Sequence, residues 1–293
     1  MPPLLTGVIA SALLFVNIIF WCSLLFFFTF FKLVIPVPFI RNLITPVLNA
    51  IANNWISCNS GWMWLTQKMD WTIRLPAHLE RKGWYFVISN HQSWVDILVL
   101  QHALNRKIPL LKFFLKQELI KVPVMGAAWW ALDFPFMKRY SKAFLEKYPE
   151  KKGQDLETTR KACEKFRTLP TSVMNFLEGT RFSQRKHDEQ NSPFQHLLKP
   201  KAGGMAFAMS AMGDQFRSIL DVTIHYPDGV PTFWEFLQGS MKRCVVLVEE
   251  KPIPTELLNG DYETDEQYRL NFQQWVQVLW EEKDRQLAEL AAG

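Results

Sequence analysis

His91 and Asp96 stand five residues apart in the run Asn90-His91-Gln92-Ser93-Trp94-Val95-Asp96. An imidazole oriented by a carboxylate is a general base. The carboxylate fixes the tautomer and stabilises the imidazolium that forms. Five residues of continuous α-helix rotate about 500°, which would put the two side chains on different faces. They meet if His91 lies in a turn and Asp96 in the first turn of a helix. The flanks fit that arrangement: 84–89 is a short apolar run that reads as a buried strand, and 97–104 reads as a helix. The same residues also fit a helix capping box, with Ser93 as N-cap and Asp96 at N3. The local sequence does not separate the two readings, and they are compatible, because a cap also holds Asp96 in place.

Two further strand ends carry charge. Phe134-Pro135-Phe136-Met137 runs into Lys138-Arg139, and Ser172-Val173-Met174-Asn175-Phe176-Leu177 runs into Glu178-Gly179-Thr180-Arg181. Read singly, Lys138-Arg139 is a solvated basic turn, and Glu178 with Arg181 is an ion pair bracing a glycine turn. In an open α/β sheet, however, ligands bind beyond the carboxyl ends of strands. A base beside several cations there suits a substrate with both a hydroxyl and a phosphate, for which arginine is the bidentate partner.

Other chemistries are absent. The chain has no GxSxG elbow, no GxxxxGK[ST] loop and no HExxH, and Gly203-Gly204 lacks the dinucleotide fingerprint. The four cysteines form no CxxC pair and have no histidine at metal-ligand spacing, so they read as free thiols, with no metal site expected. The remaining histidines have no motif context. A net charge of +5, spread along the chain, leaves no nucleic-acid footprint.

The elements that must position these groups follow from the pattern. Residues 2 to 31 contain no charge, and a membrane helix needs about 20 apolar residues. A membrane anchor over 1–35 is expected, as one tilted span or a shallow two-piece anchor. A cleaved signal peptide fits poorly. Lys32, Arg41, Lys68 and Arg74 follow the run and no cation precedes it, which places the rest of the chain in the cytoplasm, at the inner membrane. Residues 36–70, with Trp55, Trp62 and Trp64, read as an interfacial helix or as a core helix. From 71 to 293, strands at 84–89, 110–114, 133–137, 172–177, 220–225 and 244–249 alternate with helices at 94–104, 116–131, 155–168, 201–212 and 232–238. The expected fold is α/β, a mixed sheet flanked by helices. The piece 183–192 reads as a surface loop and 265–290 as an amphipathic helix.

Taken together, these blocks resemble the PlsC-like glycerolipid (lysophosphatidate) acyltransferase family. NHxxxxD is Asn90 to Asp96, the second block is Phe136-Met137-Lys138-Arg139, and the third is an unaltered Glu178-Gly179-Thr180-Arg181. The fourth is Val222-Thr223-Ile224-His225-Tyr226-Pro227. Phe114 to Leu119, Lys121 to Gly126 and Pro200 to Gly204 are similar to the family's linking segments. The resemblance covers about residues 70 to 250 and looks closest to a bacterial YihG-type branch, more distantly to lysocardiolipin-type enzymes. Lys138 and His225-Tyr226 depart from the commonest pattern, which bears on the acceptor and the acyl group rather than on the reaction.

The resemblance implies that His91, oriented by Asp96, deprotonates the free hydroxyl of a lysophospholipid. The oxygen then attacks an acyl thioester with no acyl-enzyme. Lys138, Arg139, Glu178, Gly179, Thr180 and Arg181 would hold the phosphorylated acceptor. No cofactor is implied, acyl-CoA or acyl carrier protein being the co-substrate, and the partners are lipid substrates and the membrane. Alternatives are a different lysolipid acceptor such as lysocardiolipin, or an inactive membrane-tethered scaffold on the same fold.

Overall fold

The computed structural model describes residues 1–35, 37–137, 148, 166, 169–258, 260–262 and 264–292. A six-stranded sheet forms the centre, built from β1 (Asp70–Arg74), β2 (Tyr85–Ser89), β3 (Leu111–Phe113), β6 (Ser172–Phe176), β7 (Ser218–His225) and β8 (Arg243–Lys251). Its order is β1-β8-β7-β2-β6-β3. All pairs are parallel except β7 with β8, so the carboxyl ends of β2, β6, β7 and β3 share one edge. A second sheet pairs β4 (Leu115–Lys116) with β5 (Phe136–Met137).

Helices cover both faces. On one lie α1 (Pro3–Val34), α2 (Pro38–Thr66), α3 (Val95–Leu104), α4 (Met125–Ala131) and the short α7 (Phe233–Leu237). On the other lie α6 (Gly203–Met212) and α8 (Glu266–Ala292). β2 is buried throughout because it feeds two cores: Tyr85 and Val87 pack towards α2 and α3, Phe86 and Ile88 towards α6 and α8. Lys283, buried on α8, donates to Val222 O (2.7 Å) and Thr223 Oγ1 (3.0 Å) and ion-pairs with Asp221, tying the helix to β7.

α1 is long and apolar enough to cross a membrane. It is held to the rest of the molecule along its length. Near its start Gly7 packs against the Trp234 ring, where a Cβ would come within 2.9 Å. At its middle Asn17 Nδ2 donates to Trp55 O (3.1 Å) and Asn59 Oδ1 (2.8 Å) of α2, and at its end Lys32 meets Asp133 at 3.1 Å. α2 buries Leu48, Ile51, Ala52 and Ile56 in the core and leaves Trp64 exposed.

Several sequence expectations are corrected. The helix read over 116–131 is a 3₁₀ turn, Gln117–Lys121, followed by α4. Pro123 and the positive φ of Val124 break it, and Gly126 lies so close to Ile120 O that a Cβ would not fit. The strand read over 133–137 shrinks to Phe136–Met137 and joins β4, not the main sheet. The loop read over 183–192 contains α5 (Gln184–Gln190), which Ser183 caps by accepting from Lys186 N–H and which Asn191 ends in the left-handed region. β1 begins before the expected strands, pairing with β8 at the sheet edge. The helix read over 155–168 lies, except for Phe166, outside the described residues.

Candidate active site

The turn after β2 brings His91 and Asp96 together, with Nδ1 2.8 Å from Oδ2. Asp96 is buried, and its carboxylate is fully occupied. Oδ2 also accepts from the backbone N–H of Gln92 (2.6 Å) and Ser93 (2.9 Å), and Oδ1 accepts from Tyr226 Oη (2.6 Å). Half of the capping box therefore exists, the carboxylate reaching back to Ser93 N–H. The hydroxyl half does not: the helix starts one residue later, and Ser93 Oγ accepts from Val95 N–H (3.2 Å) while donating to Pro231 O (2.6 Å).

The histidine backbone is clamped by the turn after β6. Glu178 Oε1 accepts from His91 N–H (2.8 Å), and Phe182 N–H donates to His91 O (2.7 Å). The other Glu178 oxygen accepts from Leu198 N–H (3.0 Å). Glu178 is wholly buried and lines neither cavity of the site, so it braces His91 from behind. Burial pushes its carboxyl up to about 8, with the two N–H donors pulling it down. Asn90 pins the other side of the turn to β7, donating to Ile224 O (2.8 Å) and accepting from Ile224 N–H (2.9 Å). Phe176 stacks on the imidazole at 3.9 Å.

With Nδ1 committed to Asp96, Nε2 remains for a substrate. His91 lies between two cavities. One, of about 250 Å³, is apolar and runs among Leu25, Ile51, Leu98, Phe113 and Leu132. The other, of about 330 Å³, is lined by Lys116, Asn175, Gly179, Thr180 and Arg181. Gly179 adopts φ 67° to turn the chain, a conformation that glycine takes without strain. The Arg181 guanidinium stacks over Trp94 at 4.6 Å, and Lys186 Nζ reaches Thr180 Oγ1 (2.7 Å) and Arg181 O (2.9 Å). Lys138 and Arg139 lie outside the described residues. Among the described residues, no group of three metal-ligating side chains converges.

The structure thus unites His91, Gly179, Thr180 and Arg181 around one space, with Asp96 and Glu178 buried behind His91. Sequence reasoning placed Tyr226 in the fourth block but missed its bond to Asp96, made just past the end of β7, the strand beside β2. It also missed Lys186, hidden in a presumed loop. Burial raises the Tyr226 phenol well above its usual range, with Asp96 adding to the effect, so it donates as a neutral hydroxyl. Tyr226→Phe removes one charge-assisted bond from Asp96. The expected loss is about tenfold in kcat with KM nearly constant, checked by steady-state kinetics.

The acyltransferase family's sequence pattern matches residues 70–226, more than half of the chain. The chain belongs to that family. The 1-acyl-sn-glycerol-3-phosphate acyltransferase delta of Mus musculus is 26% identical over 212 residues, covering 68% of this chain and 50% of the relative. Lysocardiolipin acyltransferase 1 of Gallus gallus is 26% identical over 221 residues, covering 71% and 54%. The chain thus spans about half the length of these curated relatives. The crystal structure of the 1-acyl-sn-glycerophosphate (LPA) acyltransferase PlsC from Thermotoga maritima shares the fold. It has a TM-score of 0.55 and 18% identity, over 99% of this chain and 96% of that one.

Proposed function

We propose that this protein transfers a fatty acyl group from acyl-CoA or acyl carrier protein to the free hydroxyl of a lysophospholipid, with lysophosphatidate as the foremost acceptor. The observation that carries this is the position of His91, between an apolar cavity and a cation-lined one. The acyl chain enters the first and the phosphorylated head of the acceptor the second. His91 Nε2 takes the hydroxyl proton as the oxygen bonds to the thioester carbon. The carbon–sulfur bond then breaks, and the imidazolium returns the proton to the leaving thiolate. Asp96 holds the ring in the tautomer this needs, and positioning supplies much of the acceleration.

Arg181 on one wall and Lys116 on another, with Lys186 bonded to Thr180 beside them, favour a phosphate over a neutral head group. Arg181→Ala is expected to raise KM for lysophosphatidate about tenfold or more and to change use of a neutral monoacylglycerol little, measured as kcat and KM for both acceptors. Unchanged constants for lysophosphatidate would remove Arg181 from acceptor binding. Lys138 and Arg139 are assigned to the same phosphate on the family resemblance, which also supports a place in the YihG-type branch.

The apolar outer face of α1, with Phe15, Val16, Ile19, Phe20 and Phe27 exposed, supports attachment to a membrane, and the cations that follow it, Lys32, Arg41, Lys68 and Arg74, favour the cytoplasmic face of the inner membrane. A helix of 32 residues is about 48 Å long, more than a bilayer core requires. Its contacts with Trp234 near one end and Asp133 at the other favour a shallow anchor lying along the domain. This brings the cavities to the lipid surface from which both substrates come.

A further inference from the structure

Two polar groups in the apolar cavity take no part in the transfer chemistry. Gln101 on α3 is 7% exposed, and its Oε1 has no hydrogen-bond partner. Trp55 on α2 likewise leaves its Nε1 unpartnered. Both residues line the cavity of about 250 Å³ that opens at His91, among leucine, isoleucine and phenylalanine side chains. A buried acceptor and a buried donor are each destabilising when left unmade, and an unsubstituted hydrocarbon satisfies neither. A hydroxyl is suited to either, as a donor to Gln101 Oε1 or as an acceptor from Trp55 Nε1–H.

The rise of α3 gives a scale for where that hydroxyl would lie. Gln101 is five residues beyond Asp96 on the same helix, about 7.5 Å further along its axis. The reacting carbonyl sits at His91, so Gln101 meets the middle of an acyl chain and not the carbons beside the thioester. We propose that this cavity is built for an acyl chain carrying a hydroxyl at mid-chain, with Gln101 and Trp55 as the residues that select it. The proposal rests on the acyl-transfer reading above and deepens it by naming the donor class. The hydroxyl is a spectator: the bonds made and broken at the thioester are unchanged.

Water is the competing partner for the amide. Gln101, Ile56 and Leu110 also wall a second cavity of about 10 Å³ beside Asn53 and Asn105, with room for about one water. The test is therefore comparative. Purified full-length protein, in vesicles containing lysophosphatidate, is given three acyl-CoA thioesters of equal length: unsubstituted, hydroxylated at the β-carbon and hydroxylated at mid-chain. The expected result is a kcat/KM roughly tenfold or more higher for the mid-chain hydroxyl than for the unsubstituted chain, with no such gain for the β-hydroxyl. Gln101→Leu and, independently, Trp55→Phe should each bring the ratio towards unity.

Equal use of the unsubstituted and mid-chain donors by the wild-type protein would overturn the proposal while leaving acyl transfer intact. So would a ratio untouched by Gln101→Leu, which would put the amide on water in the smaller cavity. Transfer from none of the three donors would overturn the acyl-transfer reading, and this proposal with it.

Discussion

His91→Ala folds and loses acyl transfer by roughly 10²–10⁴-fold, the range a positioned general base contributes. The fold survives because the imidazole makes one side-chain hydrogen bond and one ring stack, whereas the turn is held through the backbone by Glu178, Phe182 and Asn90. Asp96 keeps its bonds from Gln92, Ser93 and Tyr226 in the variant, so the first turn of α3 stays in place. Circular dichroism and thermal unfolding check the fold, and initial rates of lipid product check the chemistry. A folded His91→Ala protein with wild-type kcat would end the account of the site.

Glu178→Gln separates a brace from a substrate ligand. Both carboxyl oxygens accept backbone N–H groups, from His91 and from Leu198, and in the protonated acid the hydroxyl oxygen keeps a lone pair for one of them. A glutamine keeps one acceptor and turns an NH₂ towards the other N–H, leaving a buried donor unmade at about 1–3 kcal/mol. Because one of these bonds fixes the His91 backbone, kcat should fall tenfold or more, with KM for the lysolipid near its wild-type value. A residue that touched the acceptor would give the opposite split. The variant also changes the pH dependence of stability. Burial raises the Glu178 carboxyl from 4.5 to about 8, so between those values the folded protein holds a proton that the unfolded chain has lost. Wild-type stability therefore falls as pH rises through that window, and Glu178→Gln flattens the fall, as thermal unfolding across the window will show.

What the sequence disclosed follows the physics of each element. β2 was legible because it is short and apolar up to Ser89, and the turn after it because a strand passes into a helix within a few residues. The His91–Asp96 pair, the Gly179 turn and Arg181 were legible as charged or flexible residues at strand ends. The same segment could not show which role Glu178 plays. A glutamate before a glycine looks alike whether its carboxylate faces a ligand or two backbone amides, and only the path of Leu198 decides it. Tyr226 was hidden for a related reason: it is 130 residues from the carboxylate it serves, joined to it by the pairing of β7 with β2. The break at 123–124 was missed although Pro123 was its available signal; the positive φ of Val124 itself leaves no compositional mark. Gln101 was read as one helical residue among many, and the unpartnered amide exists only in the packed cavity.

The central claim is direct transfer across His91 from a thioester in the apolar cavity to a hydroxyl in the basic one. Its most direct test is mass spectrometry of purified wild-type protein turning over acyl-CoA in vesicles that contain lysophosphatidate. The prediction is one molecule of phosphatidate per free CoA released, with the protein mass unchanged at every time point. Release of CoA without diacylated lipid, or a protein carrying a covalent acyl group, would contradict it.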